Sequence, residues 1–591
     1  MGAIFGFSGP PDPDLLGRMG AALSHRGAAT ARTDAAALGT LAYRADRADR
    51  AETHGAGLAV DAAQDAALAL TGFVLGDDAH GEGDHPDAAT LLSRYLERGP
   101  AFCEGLRGSF VLAIRHGERV TLVRDGLGAR TVYWGEHRGR FVFAVEPKGV
   151  LAVPGFPRRL RAAALAQYLA MSFIPGEGTM LADVFEVPAG SWLAWAPGEP
   201  ARQHRWFRFE EAELDPAEAD ATPAAEWVER FREAHARAVA DRLRVAGPGG
   251  VAFLSGGIDS SVVVAELQQQ LDAPLRTYAI HFGEGYPHEL PYARAVAEQV
   301  GTRHEEVLVA PGDFLPRMRR IVWHLDEPIG DPVAMPNFEL ARRVAGEARF
   351  VWNGEGGDPL FGGPKNLSMM LHHWYGGVER GPGFRERMYL ASYRRAYSEV
   401  ERLLTPDVLR EIAPERDLEG VLTPFFEAER PRLFLHKLLA INMRLKGAHL
   451  ILPKVERMLA AHGLTPLSPL FDERLARLSF AMPAGLKLRG GVEKIVLKEA
   501  YAGRVPAEVI ARKKSGMRVP VNFWLQGDMR RYAKKALGKR ALRRAGIFDP
   551  ARVKQLLDYR IDEGPGRYGL RLWMLLTFET WRRMVLEGEA V

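Results

Sequence analysis

Residues 250–271 run from an apolar segment, Gly-Val-Ala-Phe-Leu, through Ser255-Gly256-Gly257-Ile258-Asp259-Ser260-Ser261, into Val-Val-Val-Ala-Glu-Leu-Gln-Gln-Gln-Leu. A short buried strand, a paired-glycine turn and an amphipathic helix in that order constrain the fold more than anything else in the chain. The pattern then repeats: LRTYAIHF (275–282) reads as a strand, PYARAVAEQVG (291–301) as a helix and EEVLVA (305–310) as a third strand, with a helix over 228–245 in front. Strands alternating with helices of this length predict a parallel, doubly wound α/β sheet. Beyond about residue 370 the pattern is mainly helical.

The turn carries its own chemistry. Paired glycines let backbone N–H groups approach an anion, and the following helix N-terminus adds its dipole. Ser255, Ser260 and Ser261 offer hydroxyl donors, and Leu254, Gly256 and Gly257 complete a phosphate-binding loop. Asp259 beside a phosphate is repelled unless a divalent cation lies between them, so it reads as a Mg²⁺ ligand. About a hundred residues later a second cluster follows an apolar strand: Asn353-Gly354-Glu355-Gly356-Gly357-Asp358-Pro359. Both clusters are expected at strand C-terminal ends, where open α/β sheets bind ligands. Asp259 and Asp358 then hold Mg²⁺ over ATP, Gly354 lines the nucleotide, and Glu355 serves as general base or orients an amine nucleophile.

Upstream the texture differs. Residues 110–125 and 131–146 each carry two apolar runs around a turn, the signature of antiparallel hairpins. Residues 1–208 therefore read as a β-rich domain, 209–227 (acidic, with Ala and Pro) as a linker, and 228–591 as the α/β domain. A chain of 591 residues, 47% hydrophobic and 26% charged, suits two or three soluble domains. A net charge of +4 is too mild to imply nucleic acid. No uncharged apolar run approaches the roughly 20 residues that span a bilayer, and the N-terminus lacks a signal-peptide pattern; a cytoplasmic enzyme is the expectation. The sole cysteine, Cys103, excludes an intrachain disulfide or a cysteine-based metal site. One run is locally basic: Arg530, Arg531, Lys534, Lys535, Lys539, Arg540, Arg543 and Arg544. It reads as a solvated helix face, with docking of an acidic carrier or peptide as the alternative.

LSGGIDSS is similar to the pyrophosphate loop of the N-type ATP pyrophosphatases (adenine nucleotide alpha hydrolase-like), and with NGEGGDPLFGG it resembles the class B asparagine synthetase superfamily, which includes β-lactam synthetases and lasso-peptide cyclases. The resemblance continues at LPKVERMLAAHGL (452–464), at 471–500 and at ARKKSGMRVPVNFWL (511–525). In the first half it covers MGAIFGF, LSHRGA (23–28), 106–134 and FAVEPKGVLA (143–152). It implies an αββα N-terminal-nucleophile-type glutaminase-like sandwich followed by an adenylating domain. The lysine of the GVEK segment, Lys494, is then placed to stabilise charge on phosphate or on an acyl-adenylate.

Several positions depart from the family. Glutamine-hydrolysing members begin Met-Cys-Gly-Ile, whereas this chain begins Met1-Gly2-Ala3-Ile4, and glycine offers no nucleophile. The Asn-Gly-Glu that grips glutamine is Thr71-Gly72-Phe73, so an inactive glutaminase domain is expected. In the second half Ser-Gly-Glu-Gly has become Asn353-Gly354-Glu355-Gly356, Asp-Glu has become Asp358-Pro359, Pro364 replaces a tyrosine, and 465–472 lacks a Glu and an Arg. Glu355 stands where β-lactam synthetases carry tyrosine. The expected reaction is adenylation of a small-molecule or peptide carboxylate and transfer to an amine donor that the chain's own glutaminase does not supply. An ammonia-dependent asparagine synthetase and a non-catalytic nucleotide-binding scaffold are the rival readings; a homodimer, or a carrier or peptide as a partner, is left open.

Overall fold

The computed structural model describes residues 2–27, 29–33, 38–42, 55–76, 85–375, 381–393, 395–413, 418–512, 517–560 and 568–591. Met1, Ala28 and positions 513–516 of the basic motif after Arg512 lie outside the described residues.

The first half contains twelve strands: β1 (Gly2–Phe7), β2 (Ala29–Thr33), β3 (Leu38–Ala42), β4 (Gly55–Asp61), β5 (Ala66–Leu75), β6 (Arg107–His116), β7 (Arg119–Arg124), β8 (Tyr133–His137), β9 (Arg140–Ala144), β10 (Phe185–Glu186), β11 (Ser191–Trp195) and β12 (Arg202–Arg205). They form two six-stranded sheets, ordered β10-β8-β9-β1-β3-β2 and β12-β11-β7-β6-β5-β4. Helices Pro13–Ala22, Ala88–Arg98 and Ala162–Met171 accompany them, and the arrangement is the expected αββα sandwich. Both expected hairpins are present. β6 and β7 pair down to His116 opposite Arg119, and β8 and β9 down to His137 opposite Arg140. The second turn holds Arg138 and Gly139 at φ 52° and 75°, the two left-handed residues of a primed turn that matches strand twist.

The second half builds a five-stranded sheet from β13 (Val251–Phe253), β14 (Arg276–His281), β15 (Arg303–Leu308), β16 (Phe350–Trp352) and β17 (Thr465–Leu467). Its order is β15-β14-β13-β16-β17 and its pairings are parallel. Pro466 sits in the edge strand β17, where a missing N–H is tolerated. Helices Ile258–Gln269 and Leu290–Val300 supply the crossovers, and the helix expected over 228–245 runs from Ala224 to Ala246. Of the expected linker 209–227, residues 209–212 and 216–221 form short helical turns and 224–227 begin the long helix, with Phe209 and Trp227 each 1% exposed. Among the described residues no helix is long and apolar enough to cross a membrane. The basic run occupies helices Arg530–Ala536 and Lys539–Ala545; its eight cations face solvent, and Arg544 pairs with Glu587 at 3.5 Å.

The two halves share one hydrophobic core and a buried ionic cluster. Arg26 donates to Glu146 and to both oxygens of Glu456 (2.6 and 3.0 Å), Arg130 reaches the same Glu456 at 3.0 Å, and Lys148 bonds Glu146 at 2.5 Å. Four motifs drawn from both halves of the chain thus meet where a charge without its partner is costly.

Candidate active site

The glycine loop and the second acidic cluster lie side by side at the C-terminal ends of β13 and β16. Their approach is close because glycine has no side chain: a Cβ on Gly354 would fall 2.4 Å from the Ser260 nitrogen, and one on Gly357 would fall 2.0 Å from Asp259 Oδ1. The two loops open on a cavity of about 340 Å³.

Lys494 arrives from the opposite side. It follows a two-strand ribbon, β18 (Leu488–Arg489) and β19 (Val492–Glu493), and starts the helix Ile495–Ala500 with φ 58°. A left-handed lysine is a strained conformation of the kind that collects at functional sites. Its buried Nζ lies 2.7 and 2.6 Å from the two oxygens of Asp259 and 2.5 Å from Asp358 Oδ1. Lys494 therefore bridges the two aspartates expected to act with it. Two carboxylates around one ammonium leave a net negative charge in a partly enclosed site. Hard oxygen donors, one residual negative charge and an adjacent phosphate loop suit Mg²⁺, which binds through one or two carboxylates and phosphate oxygens.

The serines divide. Ser255 Oγ and Ser260 Oγ lie 3.0 Å apart, and the Ser260 hydroxyl also takes the Ser255 N–H at 3.2 Å. These groups exchange among themselves the hydrogen bonds that an oxyanion accepts. Both Ser260 (3.1 Å) and Ser261 (2.8 Å) donate to the Gly257 carbonyl, but Ser261 is fully buried and, unlike Ser255 and Ser260, does not line the cavity. Leu254, Gly257, Gly354 and Glu355 line the cavity, while Gly256, at φ 74°, packs against the start of the neighbouring helix, where a Cβ would meet the Ala293 nitrogen at 2.6 Å. Asn353 orients the Glu355 loop: its side-chain oxygen accepts the Glu355 N–H (3.1 Å) and the Ser468 hydroxyl (2.8 Å). Residues 465–472 stand behind that loop and do not line the cavity.

The far end of the cavity is ionic in a way sequence reasoning missed. Lys454 Nζ bonds Asp331 at 2.7 Å with the Arg395 charge nearby, and Lys446 also lines the cavity. Burial opposes the Lys454 charge, but Asp331 and Glu355 outweigh it and hold its pKa above the usual value. Burial likewise disfavours the Asp331 anion; Lys454 reverses that and lowers its pKa to about 2. Arg512, just after the helix Ala507–Ala511, donates to the Gly256 carbonyl at 3.2 Å and stacks on Tyr292 at 4.2 Å, bracing the phosphate loop. Lys446 lies in a ten-residue π-helix, Asn442–Ile451, a rare geometry frequent at functional sites.

Residues 230–583 match the asparagine synthase family model. The chain belongs to the asparagine synthase family. Residues 75–207 match the glutamine amidotransferase domain. Among curated proteins, this family member is 25% identical to asparagine synthetase [glutamine-hydrolyzing] 1 of Bacillus subtilis, over 85% of this chain and 81% of that one. It is 28% identical to a putative asparagine synthetase of Mycobacterium tuberculosis with the same coverage. It is 27% identical to carboxyethyl-arginine beta-lactam-synthase of Streptomyces clavuligerus, over 74% and 68%. As an asparagine synthase-family protein it is an enzyme, a carbon–nitrogen ligase whose family uses ATP to form amides.

Proposed function

We propose that this ligase adenylates a carboxylate other than aspartate and passes the acyl group to an amine that its own N-terminal domain does not generate. The observation that carries the adenylation half is the contact of Lys494 with both Asp259 and Asp358 at the mouth of the glycine loop.

The triphosphate lies along Ser255–Ser260, with backbone N–H groups and the Ser255 and Ser260 hydroxyls donating to its β- and γ-oxygens. Asp259 and Asp358 would hold Mg²⁺, which when bound neutralises charge on the phosphate oxygens. The substrate carboxylate attacks the α-phosphorus; the bond to pyrophosphate breaks and an acyl-adenylate forms. Lys494 donates to the oxygens where charge grows, in a site that excludes much of the solvent. The amine nitrogen then attacks the acyl carbon, AMP leaves, and Glu355 takes the proton the nitrogen sheds. Lys454, Asp331 and Arg395 face the acceptor end and select the substrate.

Three features support an inactive glutaminase domain. Gly2 opens the central strand β1 as a buried residue with no side-chain nucleophile. Gly72 lies at φ 98° against the Ser109 carbonyl, and its neighbours are Thr71 and Phe73. The Cys103 thiol is fully buried, donates to the Pro100 carbonyl at 3.0 Å, and has its pKa pushed up by burial. The domain keeps a supporting task. The Ser172 hydroxyl accepts from Arg395 at 3.1 Å and the Ser172 carbonyl accepts the Gly330 N–H at 2.8 Å, bracing the acceptor end. The relatives include asparagine synthetases and a β-lactam synthase, so the family forms more than one kind of amide.

The test is turnover of the purified protein with Mg-ATP, a panel of carboxylates including aspartate, and ammonium or glutamine, assayed by AMP and pyrophosphate. Aspartate- and ammonium-dependent turnover makes it an ammonia-dependent asparagine synthetase; glutamine-supported turnover overturns the inactive-domain reading. Lack of ATP binding overturns the adenylation reading itself.

A further inference from the structure

Residues 530–544 read Arg-Arg-Tyr-Ala-Lys-Lys-Ala-Leu-Gly-Lys-Arg-Ala-Leu-Arg-Arg, eight cations and no anion in fifteen positions. The whole chain carries +4, so everything outside this segment carries −4. The positive excess of a long protein is gathered in one short stretch. Its spacing orders it further. Arg530, Arg531, Lys534 and Lys535 occupy positions i, i+1, i+4 and i+5 of the helix Arg530–Ala536, and Lys539, Arg540, Arg543 and Arg544 repeat that spacing on Lys539–Ala545. Four such positions share one side of an α-helix. The other side is apolar and packed down: Met529, Ala533, Leu537 and Leu542 are each 1% exposed or less.

The cations do little for the fold that carries them. All eight face solvent, and among the described residues only Arg544 forms an ion pair, with Glu587 at 3.5 Å. Elsewhere the chain pairs its exposed arginines, as Arg159 with Asp183, Arg230 with Glu226, Arg294 with Glu306 and Arg410 with Asp407. Like charges one turn apart destabilise a helix, and each of these helices carries two such pairs. Charge of one sign, ordered on one side and left without counter-charge, complements an acidic partner.

A single short helix joins this face to the catalytic mouth. Val521–Gln526 precedes the basic segment, and its buried Trp524 packs edge-on against Phe282, which follows β14, with ring centroids 5.4 Å apart. On the same helix Phe523 lies 5.8 Å from Tyr286. Phe282, Met517 and Arg518 line a cavity of about 130 Å³ whose lining includes Ser255 of the phosphate loop, and Met517 also lines the catalytic cavity. Phe523 and Met517 are 59% and 37% exposed, an apolar step between the cations and the opening. Arg530 is seven residues beyond Phe523 and so at most about 25 Å from it.

The chemistry of the site selects among acidic partners. A polynucleotide neutralises the cations but brings no carboxylate. A bilayer surface requires apolar side chains exposed beside the cations, and those of both helices face the body of the protein. A polypeptide with an acidic stretch meets the cations, lays apolar side chains on Phe523 and Met517, and presents a carboxylate to the cavity. We infer that the helices Arg530–Ala536 and Lys539–Ala545 are the docking surface for an acidic polypeptide that delivers the substrate carboxylate. Delivery rests on the adenylation reading; docking does not, and it is measured without turnover.

The probe is a fluorescein-labelled peptide of alternating Glu-Asp pairs and leucines, titrated into the full-length protein and followed by anisotropy. Its Kd is expected to rise with ionic strength. Charge reversal by Arg531→Glu, Lys535→Glu, Arg540→Glu and Arg543→Glu together weakens binding by about tenfold or more. The same reversal at the exposed Arg18, Arg98, Arg119 and Arg237 changes the net charge equally and leaves Kd within about twofold. Glutamine at the first four positions serves should the reversed variant fail to fold, with a smaller loss in the same direction. Equal loss in the two reversed proteins means attraction by net charge alone and overturns the docking surface. Tighter binding of single-stranded DNA of matched charge, or of phosphatidylserine vesicles, overturns the polypeptide assignment. Delivery further predicts that bound peptide slows hydrogen exchange at the Tyr286 and Phe523 amides; protection confined to 530–544 overturns it. A protein that docks the peptide yet releases no pyrophosphate with any carboxylate fails the adenylation reading and keeps the docking one.

Discussion

Lys494 Nζ lies within 2.7 Å of both carboxylate oxygens of Asp259, and the same ammonium touches Asp358. The contact makes a specific statement about metal. Replacing Lys494 with Met leaves the Asp259 and Asp358 carboxylates without the ammonium that bridges them. Turnover is expected to fall by about 10²–10³, the usual effect of removing a preorganised donor from a developing charge. Mg²⁺ alone, without nucleotide, should then raise the melting temperature of Lys494→Met more than that of the parent. Equal shifts would mean that Asp259 and Asp358 do not share a cation.

Gly357 lies against Asp259, and the added methyl of Gly357→Ala would sit 2.0 Å from Oδ1. Either the carboxylate or its loop must give way. The expected result is a folded protein with far-ultraviolet dichroism near that of the parent and kcat reduced about 100-fold, since small misplacements of reacting groups are that costly. Unaltered kcat would show that Asp259 need not hold its present position.

How much of this was legible in the sequence depended on whether the signal was local. The glycine loop, its strand and its helix are a contiguous pattern, and Asp259, Asp358 and Lys494 followed from motifs with fixed spacing. Ser261 looked equivalent to Ser260 because sequence gives no direction to a side chain; one position further along the helix left it fully buried and out of the cavity that Ser260 lines. The Asp331–Lys454 pair was invisible because its partners are 123 residues apart and come from a loop and a helix in the C-terminal half. The basic residue Arg26 lay within a quoted motif, but its partner Glu456 comes from the other half of the chain. Such pairings are set by tertiary packing, which no periodicity encodes.

Asp331 gives the acceptor end an acid signature. Its folded pKa of about 2 lies below the ordinary 3.8, so the stabilisation it contributes is present above about pH 4 and is lost as pH falls through 2. By that shift the contribution is about 2 kcal/mol. Asp331→Asn leaves the buried Lys454 ammonium without its carboxylate and should cost about 3 kcal/mol near neutral pH. Measured by denaturant unfolding, the gap between parent and variant should narrow from pH 5 towards pH 2. A gap that stays constant across that range would show that the pair is not ionic.

Glu473 makes the opposite prediction at alkaline pH. It is 2% exposed at the start of the helix Glu473–Ala481, where Oε1 accepts the Gly108 N–H from the N-terminal domain at 3.2 Å and Oε2 has no partner among the described residues. Burial first, and the adjacent Asp472 carboxylate second, raise its pKa to about 8. A carboxyl whose folded pKa exceeds its unfolded one stabilises the fold below the unfolded value and loses that contribution as pH rises through the folded one. Stability linked to Glu473 is therefore full near pH 4.5 and eroded by pH 8, by an amount on the order of a few kcal/mol. Glutamine keeps the shape and the acceptor for Gly108 but has no proton to lose. Glu473→Gln should match the parent near pH 5 and exceed it at pH 8, read as the difference in melting temperature at the two pH values. Parallel behaviour of the two proteins would place a charged Glu473 at the interface, and the neutral carboxyl assigned to the junction between the two halves would have to be abandoned.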